Sequence, residues 1–191
     1  STLSSSSAAS DVYKRQNQSY PYDTYYPYSK DASMGSYKWF IKQFIDMARK
    51  HDASPVLVTA PARTFFNDDG TIMDAPGCHG GNNFSYIRAM RQIGEETGTP
   101  VLDLFSYSVE LFEKIGHDNI HRYTSIKKGI NKGKWPDDFL KELAKPETVS
   151  ENTHFNKDGA MLITKGLVEL ILKSKNPQLC ELQSALLHNM V

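Results

Sequence analysis

Two short apolar runs, Pro55-Val56-Leu57-Val58-Thr59 and Pro100-Val101-Leu102-Asp103-Leu104, constrain the fold of this chain more than any other feature. Neither shows polar alternation, and both are too short for an ordinary helix. Such runs predict strands buried on both faces, the environment of a parallel sheet. The segments around them carry a helical period instead. Tyr37, Phe40, Ile41, Phe44, Ile45 and Ala48 form one apolar face, predicting a helix from about Ser36. A second helix carries Tyr86, Ala89, Met90 and Ile93 and should stop at Gly98, a C-terminal cap signal. A third is expected from about Ser106 to Ile115, ending at Gly116. Helix, strand, helix, strand, helix is the order of an α/β layered domain.

The rest of the chain is less regular. Asn17 to Gly35 is rich in Tyr, Pro, Ser and Asp and is expected to be a surface loop. Its tyrosines, Tyr20 to Tyr28, could stack on sugars or pack on the body of the protein. From Gly116 to Ser150 the chain carries Lys127-Lys128 and Lys132 to Lys134, and a short helix is expected over Asp137 to Leu143. The lysine cluster is expected to be a solvated loop, with contact to an acidic polysaccharide as the alternative. Asn156 is the expected N-cap of a last long helix, with Ala160, Ile163, Leu167, Leu170 and Ile171 on its inner face. The tail, residues 176–191, is apolar (Leu179, Leu182, Leu186) and predicted helical, a possible appendage to the domain.

At 191 residues the chain is the size of one domain. Its 22 basic and 22 acidic residues cancel, so no overall field favours nucleic acid or an acidic membrane. No run approaches the roughly 20 apolar residues needed to cross a bilayer. Cys78 and Cys180 could be two free thiols or one bridge.

The N-terminus differs in kind. Ser6 to Gln16, Ser-Ser-Ala-Ala-Ser-Asp-Val-Tyr-Lys-Arg-Gln, matches one translated frame of a common sequencing-adapter oligonucleotide. Residues 1–16 are therefore expected to be a disordered leader of artefactual origin, with the native protein resuming near Asn17 as a single domain over residues 17–191. The gene's own 5′ end is expected to lie further upstream.

Chemistry concentrates in Glu151-Asn152-Thr153-His154-Phe155-Asn156-Lys157-Asp158-Gly159-Ala160. A carboxylate stands three residues before a histidine, at the mouth of a helix. That arrangement suits a general base, with Nδ1–H donated to the acid and Nε2 free to take a proton from a nucleophile. The alternatives are a loop or cap histidine and a solvated acid near a helix N-terminus. His79, in Pro76-Gly77-Cys78-His79-Gly80-Gly81, follows a strand end, where ligand crevices of α/β sheets open, and is a candidate for substrate contact. His117 and His121 flank Asp118, but their spacing makes a poor metal site. Asp103, at a strand end, is read as structural rather than as a phospho-acceptor.

Together these blocks resemble the SGNH (GDSL-type) hydrolase superfamily, specifically the rhamnogalacturonan acetylesterase-like carbohydrate esterases. The likeness runs through the strand leading into Pro61 and Arg63, the helix start at Tyr86 to Met90, and the strand Pro100 to Leu104. It ends at Asn152-Thr153-His154-Phe155 with Gly159-Ala160, so it covers most of Ser36 to Lys175. The resemblance implies a three-layer αβα, flavodoxin-like fold with a parallel sheet. It also implies a serine esterase acting on an acetylated polysaccharide or oligosaccharide, with no cofactor, exported from a bacterium. His154 takes the place of the catalytic base and Glu151 that of its acid. Two departures stand out. The family's Gly-Asp-Ser and Gly-x-Asn-Asp blocks, which supply nucleophile and oxyanion donors, are absent, and so is the first strand. Glu151 also replaces the family's Asp, moving the carboxylate by roughly an ångström. The chain alone is therefore expected to be inactive and poorly soluble. A non-catalytic glycan-binding module and another flavodoxin-like enzyme remain as alternative readings.

Overall fold

A parallel pair of strands lies at the centre of the described architecture, as the two apolar runs predict. The protein is seen here as a computed structural model that describes residues 37–73, 86–124 and 154–188. In chain order the elements are α1 (Tyr37–Lys50), β1 (Leu57–Val58), α2 (Tyr86–Thr97), β2 (Val101–Leu102), α3 (Leu104–Ile115) and α4 (His117–Ile120). They are followed by α5 (Lys157–Lys173), a 3₁₀ turn (Pro177–Leu179) and α6 (Cys180–His188). Leu57 pairs with Val101 and Val58 with Leu102. The ladder is short: the amides of Leu57 and Thr59 donate to the carbonyls of Pro100 and Leu102 at 2.8 and 3.1 Å. The expected leader, the Tyr-rich segment, the lysine cluster and the helix expected over Asp137 to Leu143 lie outside the described residues.

One expectation about β1 fails. Both strands were expected to be buried on both faces, yet Val58 is 37% exposed. Among the described residues β1 has a neighbour on one side only, so its other edge and part of that side chain remain uncovered.

The helices dock through the faces their periodicity defines. α1 packs on α2: Ile45 is buried, and the Tyr37 ring meets Tyr86 edge-on at 4.7 Å. Lys38 is buried as well, which an apolar-face reading does not anticipate. Its stem lies in the interface while Nζ reaches Glu96 at the end of α2, 2.9 Å away, where Lys42 also pairs at 2.6 Å. Arg49 closes the other end of α1, donating to the Thr97 carbonyl and the Thr99 hydroxyl. α2 stops where expected, because Gly98 takes the left-handed conformation (φ 63°) that ends helices.

The Lys42 and Lys38 hydrogen bonds hold the Glu96 carboxyl down to about 2, from an ordinary 4.5. A carboxyl depressed in the folded state adds stability above its unfolded value, and that stability fades as pH falls from about 4.5 toward 2. Glu96→Gln is therefore expected to lower the urea midpoint at neutral pH and to have progressively less effect below pH ~4. Midpoints measured for both proteins across that range check the convergence.

Two apolar clusters organise the interior. The larger joins Ala62, Phe66, Ile72, Ile87, Phe105, Phe112 and Ile120, with Phe155 and Ile163 packed against it. Phe66 and Phe112 are almost wholly buried, each adding roughly 1.5–3 kcal/mol of apolar burial. The smaller joins Leu102, Ile171 and Leu179, with Leu167, Leu170 and Leu186 at its border. The tail thus has a place: α6 lies against α5, and Gln183 donates to the carbonyls of Ile171 and Ser174 at 2.8 Å. Leu182 faces outward instead, and Cys180 carries a free, exposed thiol. On the expected inner face of α5, Ile163, Leu167, Leu170 and Ile171 do meet the clusters, whereas Ala160 is exposed. Gly159 and Gly166 are buried as well, and the sequence reading missed them because glycine carries no hydrophobic signal. Among the described residues no helix is long and apolar enough to cross a membrane.

Candidate active site

His154 is an exposed residue on a segment whose backbone is held firmly. The next residue, Phe155, forms an antiparallel bridge with Thr124 and sets its ring 6.1 Å from that of Phe112, at the edge of the larger cluster. Asn156 follows in extended conformation and caps α5, its Oδ1 accepting from the Gly159 amide at 3.0 Å. The same side chain donates from Nδ2 to the Arg122 carbonyl at 2.7 Å, and its backbone amide donates to the Tyr123 carbonyl at 3.1 Å. Gly159 is required by this docking. A Cβ there would strike the Tyr123 carbonyl oxygen, a backbone atom with little room to yield. The turn over residues 121–124 and the start of α5 are thus clamped together, and His154 projects from the clamp. The 17-residue helix behind it places the positive end of its dipole nearby, which favours a carboxylate in this region. Glu151 and His79 lie outside the described residues.

A second polar constellation sits at the C-terminal ends of the two strands. Asp103 caps α3, so that helix begins at Leu104, earlier than expected. Its carboxylate accepts from Arg91 Nη2 at 2.9 and 3.1 Å, from Ser106 Oγ at 2.9 Å and from Thr59 Oγ1 at 3.1 Å. Thr59 Oγ1 in turn accepts from the Phe105 amide at 2.8 Å. Burial pushes the Asp103 carboxyl up, but the Arg91 and Ser106 hydrogen bonds outweigh it and hold the group below the usual carboxylate range. A carboxylate so fully occupied is a structural hub that locks α2, α3 and both strands together. Arg91 and Thr59 escaped the sequence reading. The one available signal was the Asp103-x-x-Ser106 spacing, a helix-start pattern that says nothing of a distant arginine.

The remaining histidines are placed separately. His117 stacks edge-on near Phe66 at 6.3 Å, and its Nε2 lies 3.2 Å from Asp118. His121 has a buried Nδ1 with no hydrogen-bond partner, as does the Nε of Arg63. Among the described residues no three His, Cys, Asp or Glu side chains gather into a metal-holding group.

No protein-family model matches the chain, and neither does any solved structure. Two curated proteins of Bacillus subtilis (strain 168) are similar to it. "Probable rhamnogalacturonan acetylesterase YesY" is 30% identical over 139 residues, spanning 71% of this chain and 52% of that protein. "Rhamnogalacturonan acetylesterase RhgT" is 29% identical over 145 residues, spanning 74% and 55%. The chain thus spans about half the length of the curated relatives it matches. Both likenesses relate it to proteins named as acetylesterases.

Proposed function

We propose that this chain is the histidine-bearing part of a serine esterase that removes acetyl groups from a polysaccharide of the rhamnogalacturonan type. The complete domain would be a three-layer αβα, flavodoxin-like SGNH hydrolase, with the open edge of β1 covered by further parallel strands. The carrying observation is the likeness to two acetylesterases. The clamped placement of His154 at the mouth of α5 supports the same reading.

In this mechanism His154 Nε2 takes the proton of a serine hydroxyl as that oxygen attacks the acetyl carbonyl. Glu151 accepts the Nδ1–H, fixing the tautomer and stabilising the imidazolium that forms. Backbone and side-chain amides hold the oxyanion. The tetrahedral intermediate collapses, and His154 returns its proton to the departing sugar hydroxyl. A water, deprotonated by the same imidazole, then releases acetate and regenerates the serine. Serine and oxyanion donors come from Gly-Asp-Ser and Gly-x-Asn-Asp blocks encoded outside the present sequence, and His79 contacts the glycan. The polypeptide as it stands has no esterase activity.

The test is acetate release from acetylated rhamnogalacturonan. The product of the gene extended upstream, with both blocks present, is expected to be active, and the 191-residue chain inactive. An extended gene encoding no Gly-Asp-Ser block, or hydrolysis by the present chain, would refute the assignment.

A further inference from the structure

The chain holds two Asp-Gly bonds, Asp69–Gly70 and Asp158–Gly159. Aspartate before glycine is the junction most open to ring closure, because no Cβ shields the glycine amide from the neighbouring carboxyl. The fold places the two bonds in opposite surroundings. Asp158 and Gly159 lie in the first turn of α5, where Gly159 is buried and its amide donates to Asn156 Oδ1 at 3.0 Å. Ring closure there would require Asp158 to leave its helical dihedrals and would undo the packing of Gly159 on the Tyr123 carbonyl.

Asp69–Gly70 instead lies in a hairpin turn, with Asp69 exposed. Gly70 has a positive φ of 89°, its amide donates to the Asn67 carbonyl at 3.1 Å, and a Cβ placed on it would meet nothing within 4 Å. A solvent-facing turn of this kind opens locally at low cost. One residue restrains it. Asp69 Oδ1 accepts from the Thr71 hydroxyl at 2.6 Å and from the Thr71 amide at 3.0 Å, and Asn67 Nδ2 donates to that hydroxyl at 2.9 Å. The Thr71 hydroxyl, and after it the Thr71 amide, hold the Asp69 carboxyl below the usual carboxylate range. The group is thereby kept ionised and tied to Thr71 rather than to the Gly70 amide.

We infer that Asp69–Gly70 is a site of spontaneous aspartate isomerisation, which the Thr71 hydroxyl slows in the folded chain. The Gly70 nitrogen attacks Cγ of the protonated Asp69 carboxyl. The N–Cγ bond forms, a Cγ–O bond breaks, and the hydroxyl departs as water with the amide proton. Water then adds to one of the two carbonyls of the cyclic imide. Opening at Cγ restores aspartate; opening at the main-chain carbonyl leaves the chain running through the side chain, as isoaspartate. Overall no atom is gained or lost, and nothing is oxidised. The product carries one extra methylene in the backbone of the turn. That turn joins Phe66 to Ile72, which bridge to each other and belong to the larger apolar cluster. Isomerisation therefore lengthens the connection between two buried residues and loosens the loop after β1.

The experiment is prolonged incubation of the 191-residue chain and of Thr71→Val at mildly acidic pH, followed by peptide mapping that separates isoaspartyl from aspartyl forms. In the folded chain isoaspartate is expected to form at Asp69 at least tenfold faster than at Asp158, and in urea the two rates should converge. Thr71→Val keeps the branched shape but loses the hydroxyl, so it should raise the rate at Asp69 about fivefold and leave Asp158 unchanged. Equal rates at the two aspartates in the folded chain, no isoaspartate at Asp69, or an unaltered rate in Thr71→Val overturns the inference. If Thr71→Val does not fold, a rate at Asp69 of the original chain that fails to rise in urea overturns the restraint likewise.

Discussion

Replacing His154 with alanine in the complete gene product is expected to lower kcat/KM on an aryl acetate by about 10³-fold or more. The size follows from the role. Without a base the serine hydroxyl must lose its proton to water, and the leaving oxygen has no acid to receive one from. Stability should change little, because His154 is exposed and Phe155 and Asn156 anchor its segment. A loss of less than tenfold, with unchanged unfolding, would remove His154 from the mechanism. Asn156→Ala offers a contrast. It deletes the cap of α5 and a clamp to Arg122, so about 1 kcal/mol of stability and a smaller part of the activity should go together.

Gly159→Ala is expected to produce the largest loss of stability, about 2–4 kcal/mol. The added methyl would meet the Tyr123 carbonyl, itself engaged with the Asn156 amide, so the turn and the helix start must separate. The better helix propensity of alanine offsets only about 1 kcal/mol of this. Gly166→Ala is the control: its obstacle is the Tyr107 ring, a side chain able to turn aside, so a smaller loss is expected. Urea unfolding of the two variants compares them directly. In the complete protein Gly159→Ala should also depress kcat, since the segment it displaces carries His154. Equal destabilisation by both substitutions would mean that the carbonyl contact does not govern the clamp.

The parts of this fold that announce themselves in sequence are those set by local chemistry. The paired strands follow from two β-branched runs, and the helix ends from Gly98, Gly116 and Asn156, each of which acts on its own backbone. What depends on distant partners was not legible. Nothing within Pro55 to Thr59 shows that Val58 is partly exposed among the described residues, because burial on that side is decided by residues distant in sequence. Arg91 meets Asp103 only once α2 has packed, and Gly159 gains its importance from the Tyr123 carbonyl opposite. The candidate site divides the same way. Its histidine stands out through spacing within ten residues, whereas the clamp of Asn156 on the Arg122 and Tyr123 carbonyls needs partners distant in sequence.

The central claim is that the imidazole of His154 activates a serine. Labelling the complete protein with a fluorophosphonate and mapping the adduct by mass spectrometry tests this most directly. One serine within a Gly-Asp-Ser block should be modified rapidly in the wild type and at least a hundredfold more slowly in His154→Ala. Labelling at the same rate in both proteins, or no labelled serine at all, would contradict the account.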